Sequence, residues 1–404
     1  MSQIALSQNL PSDRRLLLIA SVVMAFAPLS IDMYLPAFPA IQADFGASSG
    51  EVQFTLATFL VGMAVGQLVY GPISDRYGRR RPLMVGITVY VMASAGITLA
   101  PDVASLALGR LLQAMGGCAG VVIARAVITD RFEEKAAARA FSIIMLVMNL
   151  APVLAPTIGG QILVLAGWRA IFGVLALFGV LCFGLVLKVL PETLPQERRA
   201  SRAFMNLGGT IVALVRNRQF LGYALITSLS FSGMFAYIAG SPFVFIGFFG
   251  MSPQDYGLLF GMNAVGLILA AQANIHLLKV CSGRTILALG LVLNSVAGIV
   301  LLGAALVQPS EPLPLIGALF VVVASLGLIG PNATAAAMSL ARPRGTASAL
   351  IGVMQFGVGG IAGAVIGMLG NGTALPMTVA IAGLSVAGFA ALLLTVRPGP
   401  RKTL

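Results

Sequence analysis

A short, strongly charged segment separates two long uncharged stretches near the N-terminus. Residues 71–81 hold one aspartate and four arginines, whereas residues 52–74 and residues 82–101 carry no charged side chain. Crossing the hydrocarbon core of a bilayer takes about 20 consecutive apolar residues. The segment is therefore predicted to be a tight polar hairpin between two membrane-spanning helices, with arginines that mark its side of the membrane.

Composition extends this prediction to the whole chain. Hydrophobic residues make up 58%, charged residues 9%, and the mean hydropathy is +0.97, far from the range of soluble domains. The net charge of +12 does not indicate a nucleic-acid partner, because the basic residues lie at the edges of apolar runs without interleaved aromatic residues. Cys118, Cys182 and Cys281 are scattered among apolar residues and form neither a metal nor a disulfide pattern.

Charges and Gly/Pro turns divide the chain into twelve predicted spans, none with the two-residue alternation of a barrel strand. The one long polar connection predicts an N-terminal six-helix half (1–190), a cytoplasmic linker (191–218) and a C-terminal six-helix half (219–404) of an all-α membrane protein. The predicted spans are 16–36, 52–73, 83–100, 104–129, 140–163, 169–190, 220–246, 255–278, 285–307, 313–338, 346–370 and 374–396.

The distribution of charge orients these spans. With both termini inside, all but three of the 25 lysines and arginines lie at the inner face. The exceptions are Arg169 in an outer loop and Arg110 and Arg125 within a span, while the outer loops carry acidic residues such as Asp44 and Asp102. Positive charge collects on the cytoplasmic side of membrane proteins, so both termini are predicted to be cytoplasmic.

Residues 71–81 closely resemble the loop motif between spans two and three of the major facilitator superfamily. Residues 28–36, 109–113, 150–160, 231–237 and 330–334 resemble the bicyclomycin-resistance (Bcr/CflA) subfamily of drug/proton antiporters. The resemblance implies the twelve-helix major facilitator fold in the bacterial inner membrane, and a gating motif. The gating residues it implies are Gly71, Asp75, Arg76, Gly78, Arg79, Arg80 and Asp130.

Intramembrane charges are the strongest indication of a site. Asp32 lies 17 residues beyond Arg15, roughly 25 Å along a helix, and Arg110 lies at a similar depth in span four. Ionisable residues at such depth are costly and usually functional. We predict that Asp32 is the proton site and Arg110 its modulator; the alternative is a structural ion pair that never titrates. For Arg125, nearer the inner end of its span, anchoring by its long stem is favoured over a role in transport.

Two polar or small-residue motifs are expected to control opening. Asp130 could pair with Arg76 across the hairpin, or be a solvated interfacial charge. The hairpin is expected to act as a cytoplasmic latch near the start of span eleven.

In span five, the resemblance identifies an antiporter motif that seals the cavity; the alternative is ordinary small-residue packing. The antiporter residues are Pro152, Pro156, Gly159 and Gly160.

Polyspecific substrate cavities combine soft apolar surfaces with a few polar groups. The candidate cavity residues are Met33, Tyr34, Asn149, Phe231, Phe235, Tyr237, Asn332 and Gln355. The predicted function is export of small drug-like molecules, such as bicyclomycin-type antibiotics, in exchange for protons by alternating access.

The predicted protein is a monomer whose partners are the small-molecule substrate, protons and the lipid bilayer, with no cofactor other than the proton gradient and no metal. A proton-coupled exporter of a metabolite or amino acid on the same fold is the alternative. An intramembrane enzyme is disfavoured, since His276 is the only histidine and no HExxH motif occurs.

Overall fold

Every regular element of the described chain is helical. A computed structural model describes residues 13–132, 134–199, 207–307, 310–341, 344–369 and 373–395. Within these residues, ten helices are long and apolar enough to cross a membrane. The helices Arg80–Ile97 and Glu134–Ala166 complete twelve spans in the predicted order, so the predicted twelve-helix fold is confirmed.

In the first half, span one is built from four short pieces and the other five spans are single helices. The pieces of span one are Asp13–Met24, Phe26–Asp32, the 3-10 turn Leu35–Ala37 and Phe38–Phe45. Spans two to six are Ser49–Tyr77, Arg80–Ile97, Val103–Arg131, Glu134–Ala166 and Trp168–Val189.

The second half follows a short 3-10 turn, Gln196–Arg198, and a helix, Leu207–Arg216, in the predicted linker. Residues 200–206 of that linker lie outside the described residues, and the domain boundaries stay predictions. Spans seven to twelve are Arg218–Pro242, continued by the π-helix Phe243–Phe248, then Pro253–Leu277, Gly283–Leu306, Leu313–Ser339, Arg344–Met368 and Leu375–Thr395.

Local capping places several helix starts a few residues before the predicted spans. Ser48 and Glu51 form a capping box at the start of span two, and Asp102 and Ser105 form one at span four. Asn217 accepts hydrogen bonds from the first backbone N–H groups of span seven. Such caps satisfy the free donors of a helix N-terminus, and the polar residues that provide them extend the helices beyond the apolar segments.

Span one begins and span twelve ends at the same end of the bundle, here named the proximal end; the opposite end is the distal end. Span two packs on span four within the first half, and small residues permit the close approach: a Cβ atom on Gly62 or Gly66 would collide with Ala114 or Cys118. Span two also packs on span eleven, and span five on span eight. These two pairs join the two halves.

Candidate transport site and gates

Span one is interrupted where it carries its only intramembrane charge. The helix Phe26–Asp32 ends at Asp32, and the chain passes through a turn at Met33 and Tyr34 into the 3-10 turn. Pro36 lacks a backbone N–H and cannot continue the α-helical hydrogen bonding. A single continuous span over residues 16–36 was predicted here; Pro36 was the signal for the break.

Asp32 is 4% exposed and makes no hydrogen bond or ion pair with any described residue. The 3-10 turn that follows it packs on spans seven and eight of the second half. Asp32 therefore occupies the surface of the first half that faces the second half.

Arg110 is fully buried and bonds the backbone of span one. Its Nη1 donates to the carbonyl oxygen of Ser30 (2.9 Å) and to Oε1 of Gln113 (2.6 Å). The guanidinium carbon lies 4.1 Å from the ring centroids of both Tyr34 and Phe59, a cation–π sandwich. Within the described chain, Nε and Nη2 have no hydrogen-bond partner.

The predicted proximity of Asp32 and Arg110 is realised only through the backbone. Arg110 bonds Ser30, two residues before Asp32, and no ion pair joins the two charges among the described residues. The alternative of a static ion pair is therefore wrong for this structure, because the cation is held by a carbonyl, an amide and two rings. The modulating role of Arg110 stays a prediction.

A buried polar network supports the Arg110 contact. Gln113 donates from Nε2 to Ser94 Oγ (2.8 Å), and Ser30 Oγ bonds the hydroxyl of Tyr90 (2.7 Å). These residues tie spans one, three and four together. The sequence analysis did not identify them, since serine and glutamine in an apolar span do not reveal which face of the helix they occupy.

The antiporter motif of span five lies against both the break in span one and span eight. A Cβ atom on Gly159 would overlap the carbonyl oxygen of Met33, and one on Gly160 would lie 2.9 Å from the carbonyl oxygen of Pro253. On span eight, a Cβ atom on Gly257 would lie 2.9 Å from the backbone of Thr157. Backbone-to-backbone packing at this seam therefore requires glycine on both sides, and the sequence analysis missed Gly257.

The distal ends of the two halves are also in contact at a second seam. A Cβ atom on Gly50, at the distal end of span two, would overlap the carbonyl oxygen of Gly367 in span eleven. The rings of Phe38 and Phe243 lie 5.6 Å apart between span one and the π-helix of span seven. The distal side of the bundle is therefore closed along both seams.

A cavity of about 410 Å³ lies at the distal end between the two halves. Gln53 reaches it from span two; this residue is 3% exposed and its Oε1 has no partner in the described chain. The other lining residues are Gln42, Ser49, Gly240, Phe243, Val244, Gly247, Phe248, Ile366, Thr373, Pro376 and Met377.

At the proximal end, Arg79 is the centre of the gating motif. Its Nε donates to Asp130 (2.7 Å), and its Nη1 donates to Asp75 (2.5 Å) and Ser74 (2.8 Å). The expected pairing of Asp130 with Arg76 is wrong: Arg79 takes that place. Burial opposes the charge on Arg79, but its hydrogen bonds with Asp130 and Asp75 outweigh burial and raise the pKa of Arg79 above its usual value.

Glu192, near the start of the predicted linker, caps the start of span three. Its carboxylate accepts hydrogen bonds from the backbone N–H groups of Arg79 (2.7 Å) and Arg80 (3.3 Å). Gly78 adopts φ +87°, and a Cβ atom there would also collide with Glu192. Arg80 donates from Nη2 to the carbonyl oxygen of Leu187 (2.6 Å). The motif glycine therefore gives room for a carboxylate that the sequence analysis missed.

Gly71 of the gating motif and Arg125 of span four make fewer contacts. No atom lies within 4 Å of a Cβ built on Gly71. Arg125 is partly exposed and its side chain makes no hydrogen bond or ion pair with the described residues. Its predicted anchoring role stays a prediction.

Three of the substrate-cavity candidates lie at the seam between the halves or beside it. Met33 is 4% exposed at the break in span one, and Tyr34 is fully buried, with its hydroxyl 3.3 Å from Oγ1 of Thr55. Tyr237 is 1% exposed and accepts a hydrogen bond from Nδ2 of Asn263 (2.9 Å). The side chain of a fourth candidate, Asn149, lies outside the described residues.

The other four candidates form contacts within the second half. Phe235 packs against Phe356, with 5.7 Å between ring centroids. A Cβ atom on Gly330 would lie 3.3 Å from the ring of Phe231. The amide pairs are Asn332 Nδ2 to Asn274 Oδ1 (2.6 Å) and Gln355 Nε2 to Thr227 Oγ1 (3.2 Å). The structure thus gives these four residues partners in neighbouring helices, and their contact with substrate stays a prediction.

Comparison with known proteins identifies the family. The Major Facilitator Superfamily profile matches residues 20–364. The chain is 36% identical to an uncharacterized MFS-type transporter, YdgK, of Bacillus subtilis over 87% of each chain. It is 33% identical to a bicyclomycin resistance protein homolog of Haemophilus influenzae, over 89% of this chain and 91% of that protein. It is 28% identical to the multidrug resistance protein MdtL of Escherichia coli, over 84% of this chain and 85% of that protein.

Solved structures share the fold at low sequence identity. A D-xylose-proton symporter superposes with a TM-score of 0.77 at 15% identity, covering 98% of this chain and all of the other. A bacterial homolog of the human lysosomal transporter Spinster gives 0.70 at 16% identity, covering 96% and 95%. The relatives are transporters and not enzymes, as predicted. The chain belongs to the major facilitator superfamily and is a multi-pass membrane transporter whose relatives include drug-resistance proteins.

Proposed function

We propose that the protein exports small drug-like molecules, bicyclomycin-type antibiotics among them, in exchange for protons. The names of two relatives, a bicyclomycin resistance protein homolog and a multidrug resistance protein, support drug export. We place the protein as a monomer in the bacterial inner membrane with its proximal end in the cytoplasm. The excess of arginine at that end supports this orientation.

The observation that carries proton coupling is the burial of Asp32 without a partner in a bundle closed on its distal side. An ionised carboxylate loses its hydration in such a site and gains no described hydrogen bond in return, whereas a protonated one loses far less. The distal-closed arrangement therefore favours protonated Asp32. Ionised Asp32 favours an arrangement in which water reaches it.

This preference gives a transport cycle. With the distal side open, a proton from outside neutralises Asp32 and lets the seams at Gly160 and Gly50 close. After the proximal side opens, the proton leaves to the cytoplasm and the substrate enters. The ionised carboxylate then favours reopening of the distal side, through the cavity beside Gln53. Rocking of two halves about a central site is the usual mode of such folds.

Arg110 sets the balance of this cycle in our proposal. It holds the segment that ends in Asp32 through the carbonyl oxygen of Ser30. In the proposal, approach of this cation to Asp32 during the cycle favours the ionised carboxylate and opposes the effect of burial. These two effects then keep the free energies of loading and releasing a proton close to each other.

A drug-susceptibility panel in a bacterial host that lacks its own exporters tests the proposal. The native chain is expected to raise tolerance to at least one drug-like compound, and Asp32→Asn to abolish this tolerance at equal expression. Tolerance unchanged in the variant would refute proton coupling at Asp32. Tolerance to no compound at all would favour export of a metabolite or amino acid, which uptake and release assays with candidate substrates would then identify.

A further inference from the structure

Asn263 in span eight is a buried amide with one unsatisfied atom. The residue is 1% exposed, its Nδ2 donates to the hydroxyl oxygen of Tyr237, and its Oδ1 has no partner in the described chain. Buried polar atoms are nearly always hydrogen-bonded, to protein or to ordered water. The unpaired Oδ1 of Asn263 therefore indicates that a small hydrogen-bond donor binds beside it.

A cavity of about 20 Å³ adjoins this amide. Its volume suffices for one water molecule, which needs roughly 10–15 Å³ and at least two polar partners. The amide of Asn263 and the hydroxyl of Tyr237 are the polar groups of its lining, and the other side chains are apolar. The lining residues are Pro152, Met234, Tyr237, Phe260, Asn263, Ala264, Leu267 and Val323.

The cavity lies at the seam between the halves. Pro152 belongs to the antiporter motif of span five, and the other lining residues belong to the second half. Tyr237 is fixed in place by stacking on Phe260, with 5.3 Å between ring centroids and 16° between planes. Because its oxygen accepts from Asn263, its own O–H hydrogen remains available to another acceptor.

Asp32 directly precedes the segment of span one that packs on spans seven and eight, the helices that carry Tyr237 and Asn263. Arg110 approaches the same segment from span four, and Tyr256, bonded to Ser241 (2.8 Å), approaches from span eight. Tyr90 of span three bonds Ser30, and residues 140–166 of span five include no titratable side chain. Among these groups, Tyr237 alone lines the cavity.

We propose that the cavity binds one water molecule, which donates to Asn263 Oδ1 and accepts from the Tyr237 hydroxyl, and that this unit lets the second half respond to the charge on Asp32. With Asp32 ionised, the Tyr237 hydrogen turns from the water towards the carboxylate; with Asp32 protonated, it returns to the water. Asn263 and Tyr237 are positioning residues in this scheme. The coupling part of the inference rests on the proposed function, whereas the water site does not.

X-ray hydroxyl-radical labelling of the purified native protein tests the water site, because radicals form at bound water and modify the nearest side chains. Modification of Tyr237 or Met234 is expected, together with its loss in Asn263→Leu. Tyr90, fully buried and bonded directly to Ser30, is the internal reference. Modification of Tyr237 no greater than that of Tyr90 would overturn the water site.

A comparison of two transport modes tests the coupling role. In proteoliposomes, Asn263→Leu is expected to lower gradient-driven export roughly tenfold, the loss typical when a hydrogen-bonded partner that orients a functional side chain is removed. Substrate exchange without a gradient should stay within twofold of native. The control is Asn294→Leu, since Asn294 is a buried amide that donates to Val322 and Ser325. Equal loss of gradient-driven export and of exchange in Asn263→Leu would overturn the coupling role, as would a selective loss of gradient-driven export in the control.

The two parts of the test fail separately. If the native chain shows no gradient-driven export of any compound, the proposed function is wrong and the coupling role is overturned with it. The labelling result then decides the water site alone.

Discussion

Gly159 of span five lies directly against the backbone carbonyl of Met33, the residue that follows Asp32 at the break in span one. The contact leaves no room for a Cβ atom. The antiporter motif thus touches the segment that carries the buried carboxylate, and the same helix packs on span eight of the other half. Span five therefore links the segment that carries Asp32 to the seam with the second half.

Replacing Gly159 with alanine should push span five away from the break in span one that carries Asp32. Overpacking of a close contact costs about 1–3 kcal/mol, and here the colliding atom is backbone and cannot rotate away. We expect Gly159→Ala to lower proton-driven export at least severalfold and to lower the thermal unfolding temperature. Gly173→Ala in span six is the matched control, since no atom lies within 4 Å of its Cβ position. Equal transport activity of the two variants would show that the contact between Gly159 and Met33 is not needed for transport.

Arg79, and not Arg76, should be the essential arginine of the proximal hairpin. Removing Arg79 leaves the carboxylate of Asp130, only 19% exposed, without its partner; a lost hydrogen bond between charged groups costs about 1.5–3 kcal/mol. We expect Arg79→Ala to lose most transport activity and Arg76→Ala to retain it. Transport assays at matched expression compare the two, and the reverse order of activities would show that the hairpin acts through Arg76.

Glu192 should stabilise the protein although it lies outside the hairpin motif. It accepts two backbone N–H groups at the start of span three; replacing a cap residue costs about 0.5–2 kcal/mol. We expect Glu192→Ala to lower the unfolding temperature of the detergent-purified protein, and Glu197→Ala, at an exposed position nearby, to leave it unchanged. Equal unfolding temperatures in Glu192→Ala and native protein would mean that solvent or another group replaces the cap.

The number of spans, their order and the positions of Asp32 and Arg110 within the membrane could be predicted, because hydropathy and intramembrane charge are readable along the chain. The break after Asp32 was missed although Pro36 follows it, since Met33 and Tyr34 are as apolar as their neighbours. The partners of Arg110 depend on how spans one and four are rotated. Glu192 meets Arg79 across 113 residues, and only the packed bundle brings them together. Long-range contacts of this kind leave no periodic signal in a single sequence.

The charge state of Asp32 should set the opening of the distal side. Asp32→Asn mimics the protonated carboxyl and should shift the population towards the closed arrangement. Spin labels on Leu99→Cys and Val307→Cys, distal positions 83% and 80% exposed on opposite halves, report this opening by pulsed electron resonance after Cys281→Ser removes the exposed native thiol.

In this background we expect the short-distance population to increase in Asp32→Asn and, for the unmodified Asp32, to increase as the pH falls, because protonation removes the cost of burying the charge. Asp44→Asn is the control: Asp44 lies at the distal surface, bonded to Arg169 and Trp168, so its neutralisation should leave the Asp32-dependent response to pH in place. Distances between the spin labels that do not change in Asp32→Asn would show that the charge on Asp32 does not control closure of the distal side. A charge that drives opening must alter the balance between the two arrangements when it is removed.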